Sequence, residues 1–130
     1  MEITKGIKGR KEYIVTKELT AAAVGSGLLE VYGTPYMIAL MEETCHTSIG
    51  QFLEEGQGTV GISLEIKHTA ATPVGMKVWC ESQLVEVDGK RLVFKVQAFD
   101  QVGPIGEGTH QRFIIDNEKF LEKTNSKGNK

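Results

Sequence analysis

Polar and apolar residues alternate most regularly between Thr59 and His68. Val60, Ile62, Leu64, Ile66 and His68 fall on one side, and Thr59, Gly61, Ser63, Glu65 and Lys67 on the other. A period of two predicts a half-buried strand with one row against a core. Upstream the period changes. Ile38, Met41, Cys45, Ile49 and Phe52 recur every three or four residues. That spacing predicts a helix over 35–53, about 28 Å long at 1.5 Å per residue. Thr34 before Pro35 reads as its N-cap, and Gly56 and Gly58 as its stop.

After residue 68 the pattern returns to strands. A turn region at 69–75 contains Pro73. Strands over 76–87 and 90–99 are joined at Asp88-Gly89, a strong hairpin signal. A last strand over 105–115 follows the turn marked by Gly103 and Pro104. Tyr13 to Val15, with its neighbours, reads as a short first strand. One helix segregated from about five strands in short-turn succession predicts an α+β fold with an antiparallel sheet. Residues 1–122 form the expected single domain, and 123–130 (KTNSKGNK) a polar tail with no apolar face to bury.

Composition narrows the function classes. The chain has 130 residues, 40% apolar and 25% charged. That is a globular balance for one domain. A net charge of −2 gives no reason to bind nucleic acid. No apolar run approaches a membrane span, and the basic start is not followed by the apolar stretch of a leader. The two cysteines, Cys45 and Cys80, lack metal-finger spacing, so no metal site is expected. They read as small hydrophobes in a reduced, cytoplasmic protein. Gly56-Gln57-Gly58-Thr59-Val60-Gly61 matches GxGxxG in letters only. The nucleotide-binding motif runs strand, turn, helix, and this segment runs helix, turn, strand.

Four residues invite chemistry. Glu42 lies inside the helix's apolar stripe, where a carboxylate is costly unless it is bonded or has a task. It is either a stripe-edge residue in a structural ion pair or an acid–base group. His68 ends the apolar row of its strand. It is either a satisfied core histidine or a partner for Glu42 across one cleft. Thr34 caps the helix and also lies beside backbone N–H donors suited to an oxyanion. Arg112 shares its face with Gly106 and Gly108. It is either surface charge or a reach toward an acidic group.

Thr34-Pro35-Tyr36-Met37-Ile38-Ala39-Leu40-Met41-Glu42 resembles the helix start of the fluoroacetyl-CoA thioesterase family, within the hotdog-fold superfamily. So do Gly61 through His68 with Thr69-Ala70-Ala71-Thr72-Pro73, and Gly108-Thr109-His110-Gln111-Arg112. The resemblance runs from about Leu28 to Phe120. It implies a hotdog fold and a catalytic set of Thr34, Glu42 and His68. It also implies that Gly61 and Arg112 help hold the acyl end. Hotdog relatives pair sheets edge to edge, which implies a homodimer with the site between subunits, and with Thr34 and Glu42 of one chain working near a His68. The implied activity is hydrolysis of a short-chain acyl-CoA, with no cofactor beyond the substrate's CoA. A hotdog acyl-CoA hydratase or dehydratase and a non-catalytic acyl-CoA-binding module are the alternatives. The family's lid carries phenylalanines upstream of the catalytic Thr. Gly25 and Leu28 stand at about those places here, so Leu28 is expected to line a looser lid with little selectivity for fluorine.

Overall fold

A computed structural model describes residues 2–129. Its elements in chain order are β1 (Lys8–Ile14), the single-turn α1 (Ala21–Val24), α2 (Thr34–Ile49), β2 (Gln57–His68), β3 (Lys77–Asp88), β4 (Arg91–Asp100), β5 (Pro104–Asp116) and α3 (Asn117–Asn125). The five strands form one antiparallel sheet in the order β1-β3-β4-β5-β2, and α2 lies across it. This is the α+β arrangement with an antiparallel sheet that the periodicities predict, and the hotdog fold that the resemblance implies.

The core lies between α2 and the inner face of β3, β4 and β5. Met37, Leu40, Met41, Cys45 and Ile49 supply the helix side, and Cys80, Leu84, Phe94 and Val96 part of the sheet side. At a contribution of about 1.5–3 kcal/mol for each large apolar side chain buried, this face is what holds α2 in place. At Gly106 of β5 a Cβ would sit 2.6 Å from Met37 Sδ of the helix and 2.9 Å from the Lys67 carbonyl of β2, a backbone atom that cannot move aside. Only glycine allows that approach.

Local geometry departs from the sequence expectation at several points. The helix begins one residue earlier than expected and its N-cap is Gly33, with φ −77° and ψ 135°. Thr34 is therefore the first helical residue and its side chain caps nothing. The helix ends at Ile49, and a 3₁₀ turn at Gly50–Phe52 follows. Gly50, a poor helix former, ends it rather than Gly56 or Gly58. The β3–β4 hairpin turns on Gly89 and Lys90, since Asp88 pairs with Arg91. Gly89 holds φ 61°, so the turn needs its glycine first. The first strand is longer than Tyr13 to Val15. The polar segment from Lys123 begins inside α3 and runs on into a 3₁₀ turn at Ser126–Asn129. The Asp116 side chain starts α3 by accepting from the Lys119 N–H, a cap that compensates for the missing apolar face.

The departure with the largest consequence is in β2. The alternation there is not strict. Gly61 pairs with Arg112 and Ser63 with Gln111, so Ile62 is an extra residue, a β-bulge. The bulge exchanges the faces of the strand halfway along. Leu64, Ile66 and His68 face the helix as expected. Before the bulge, Thr59 and Gly61 face it, in place of Val60 and Ile62.

Candidate active site

At the start of α2, Thr34 Oγ1 lies 2.7 Å from His68 Nδ1. The two meet because the helix starts where β2 ends. His68 is held opposite Gly106 of β5, and the buried Tyr32 presents its ring edge-on at 6.5 Å between centroids. Free of capping, the Thr34 hydroxyl can donate to the imidazole. His68 Nε2 is buried and has no hydrogen-bond partner among the described residues. Burial pushes the His68 pKa below its ordinary 6.5, with the Ala70 backbone opposing in part. The shift favours the neutral ring, the form that can accept a proton. The oxyanion donors expected here shrink to one. The N–H groups of Tyr36 and Met37 both point back to the Gly33 carbonyl, and Pro35 has none, which leaves the Thr34 N–H.

A second cluster sits further along α2. Glu42 is half exposed, with its Oε2 3.8 Å from Arg112 Nη1. That is a charge contact without a hydrogen bond, and its exposure makes it weak. Arg112 is buried in β5 and well anchored. Its Nε donates to Thr59 Oγ1 at 2.8 Å, one Nη to the Thr59 carbonyl at 2.9 Å, and the other to His110 Nε2 at 3.1 Å. Gly61 borders the same space. A Cβ there would lie 2.9 Å from Glu42 Oε2 and 3.2 Å from His110 Cε1. The bulge at Ile62 makes this possible, because strict alternation would turn Gly61 outward.

The structure therefore joins Thr34 to His68, and Glu42 to Gly61 and Arg112. It does not join the two groups within one chain. Eight helical residues separate Thr34 from Glu42, a rise of about 12 Å. No hydrogen bond or ion pair links Glu42 to His68 among the described residues. The expected meeting of those two in one chain is corrected on this ground. Leu28 belongs to neither cluster and is 95% exposed. Glu43, the residue after Glu42 along the helix, accepts a hydrogen bond from the Tyr13 hydroxyl near the surface. Sequence reasoning missed His110 and Thr59. The available signal was His110's place two residues before Arg112, on the same strand face.

Residues 15–118 match a family described as fluoroacetyl-CoA-specific thioesterase. The chain belongs to the fluoroacetyl-CoA-specific thioesterase family. A fluoroacetyl-CoA thioesterase from Streptantibioticus cattleyicolor is 43% identical over 98 residues, 75% of this chain and 70% of that protein. A solved structure of the fluoroacetyl-CoA thioesterase FlK aligns with a TM-score of 0.93 at 34% identity, over 98% of both chains. A mutant of FlK solved with fluoroacetate and CoA aligns with a TM-score of 0.86 at 35% identity, over 91% of this chain and 99% of that one. Membership in this thioesterase family favours a thioester hydrolase acting on short acyl-CoAs over the hydratase and the binding module.

Proposed function

We propose that this protein hydrolyses short-chain acyl-CoA thioesters as a homodimer. Each site would combine Thr34 and His68 of one protomer with Glu42, Gly61 and Arg112 of the partner subunit. The observation that carries the hydrolase reading is the Thr34–His68 hydrogen bond beside an unpartnered, buried ring nitrogen. The dimer is supported by β2, an edge strand of the sheet with Ile62 and Leu64 exposed at 51% and 40%. An open apolar edge is a surface for pairing. The 12 Å or so between the two clusters is a gap that a second copy can close.

In this reading His68 accepts the Thr34 proton and so activates its oxygen, either for direct attack or to hold the attacking water. The thioester carbon gains an oxygen, the C–S bond breaks, and His68 returns the proton to the departing CoA sulfur. Water supplies the acid's second oxygen. The Thr34 N–H bonds the developing oxyanion, a contribution of up to roughly 3 kcal/mol. Glu42 acts with Thr34 on the attacking oxygen, and Arg112 holds the acyl end. The reaction uses no metal or cofactor beyond the substrate's CoA. Neither nucleic acid nor membrane is a partner, and two free, buried cysteines suit the cytoplasm.

The test is thiol release from acetyl-, fluoroacetyl- and butyryl-CoA. Release from all three is expected, with modest differences in kcat/KM, since Gly25 and Gly27 loosen a segment that carries Leu28 in place of an aromatic. Absorbance change at an enoyl double bond without thiol release would overturn the hydrolase reading. A fluoroacetyl preference above about ten-thousandfold would overturn the lid reading.

A further inference from the structure

We infer that His110 is a positioning residue, a neutral acceptor that fixes the Arg112 guanidinium in the active site. The inference rests on the reading that Arg112 works at the acyl end. His110 is fully buried on β5. Its Nδ1 lies 2.9 Å from the Ser63 carbonyl, which can only accept, so Nδ1 carries the hydrogen. Its Nε2 is then a lone-pair acceptor, and Arg112 Nη1 donates to it at 3.1 Å. The Ser63 carbonyl stands at that place because of the bulge at Ile62. The ring is held from the other side by Phe94, stacked at 6.5 Å and 28°.

The guanidinium has five N–H groups. Three are used by Thr59 Oγ1, the Thr59 carbonyl and His110 Nε2. The two left over are one on Nη1, on the side of Glu42, and one on the other Nη. A planar fork held at three points presents its free edge in one direction, which a singly bonded side chain would not. Gly61 keeps the space in front of that edge empty. The charged groups facing His110 are Arg112 on its own strand and Glu42 on α2. β2 offers Leu64 and the Ser63 carbonyl, and β4 offers Phe94. Protonation of Nε2 would set two cations against each other and release the fork. Burial and the adjacent guanidinium both oppose that protonation.

His110→Gln and His110→Asn separate the two bonds. A glutamine oxygen reaches the place of Nε2 and keeps the acceptor for Arg112. An asparagine nitrogen reaches only the place of Nδ1 and keeps the bond to Ser63. The expected result is kcat/KM for acetyl-CoA within about threefold of wild type for Gln. For Asn a loss of about tenfold or more is expected, mostly in KM, as for a binding group. In an Arg112→Lys background the His110→Asn loss should vanish, because there is no fork left to position. An equal loss in that background, or an unaffected Asn variant, overturns the inference. If Arg112→Lys alone has wild-type kinetics, the acyl-end reading of Arg112 fails first and takes the inference with it. The wild-type protein gives a measurement that does not depend on a variant's folding. Its His110 ring ¹⁵N shifts should report hydrogen on Nδ1 at neutral pH, and hydrogen on Nε2 would overturn the assignment.

Discussion

The two clusters that each chain sets along α2 are built on opposite plans. At the first turn of α2, Thr34 and His68 share a single hydrogen bond, and His68 Nε2 is left without a partner among the described residues. Two turns on, Arg112 is held by three bonds to Thr59 and His110, and His110 is itself held by Ser63. The sparse end suits groups that must pass protons, because each bond there has to form and break in a turnover. The anchored end suits a group that must keep its charge and direction throughout, and preorganised charge needs no rearrangement when the substrate reacts. One polar side chain is thus held by a single bond and another by three.

Substitutions at the sparse end should be the most damaging to rate and the least to stability. His68→Ala and Thr34→Ala are each expected to lower kcat by about a hundredfold or more. Thr34→Ala should leave the melting temperature nearly unchanged, since Gly33 is the cap. A stability loss of about 1 kcal/mol in Thr34→Ala, measured by denaturant unfolding, would restore the capping role.

Mixing variants tests which residues belong to which end. Equal amounts of Glu42→Gln and His68→Ala protomers, refolded together, should regain activity, because half the dimers then hold one intact site. The regain expected is about a quarter of wild type. Thr34→Ala mixed with His68→Ala should regain nothing, as both lie in the same half. Rescue of that second pair would separate Thr34 from His68 and break the comparison.

At the anchored end the larger effect should be on stability. Arg112→Met removes the donor to the Thr59 carbonyl and to His110 Nε2, leaving buried acceptors unpaired. A loss of about 2 kcal/mol or more in urea unfolding is expected. An unchanged midpoint would mean that water replaces the guanidinium.

The pH dependence should be milder. His68 and His110 are held below their ordinary 6.5 chiefly by burial, and the more exposed His46 by partial burial and the Arg112 charge. Below pH 6.5 the unfolded chain binds protons that the folded one refuses. Stability is therefore fully present above that pH and falls as the pH drops through the folded-state values. His110→Gln should flatten the slope, read as unfolding midpoint against pH, and an unchanged slope would place the titration at His46 and His68. Smallest of all, Leu28→Ala should change stability by less than about 0.5 kcal/mol, since an exposed side chain has little to lose.

The element order follows from short-range patterns in the sequence alone. A stripe at three and four residues forms α2, and runs of alternation form β2 to β5, because amphipathic periodicity is local and needs only a core to face. The same patterns single out Glu42 and His68 as polar groups in apolar rows and Arg112 beside two glycines, and the resemblance adds Gly61. Tertiary structure decided how these are arranged. The bulge at Ile62 exists only through pairing with β5, where Gly61 meets Arg112 and Ser63 meets Gln111. One inserted residue leaves no trace in a hydrophobic pattern, yet it turns Gly61 inward and presents the Ser63 carbonyl to His110. The cap passes from Thr34 to Gly33 because long-range backbone bonds hold the approach to the helix, Gly33 N–H to Leu19 and Tyr32 N–H to Thr72. That frees the Thr34 hydroxyl for His68. Glu42 and His68 share an apolar surface in the pattern but not a cleft in the chain, since periodicity reports which face a residue takes and not how far along it lies.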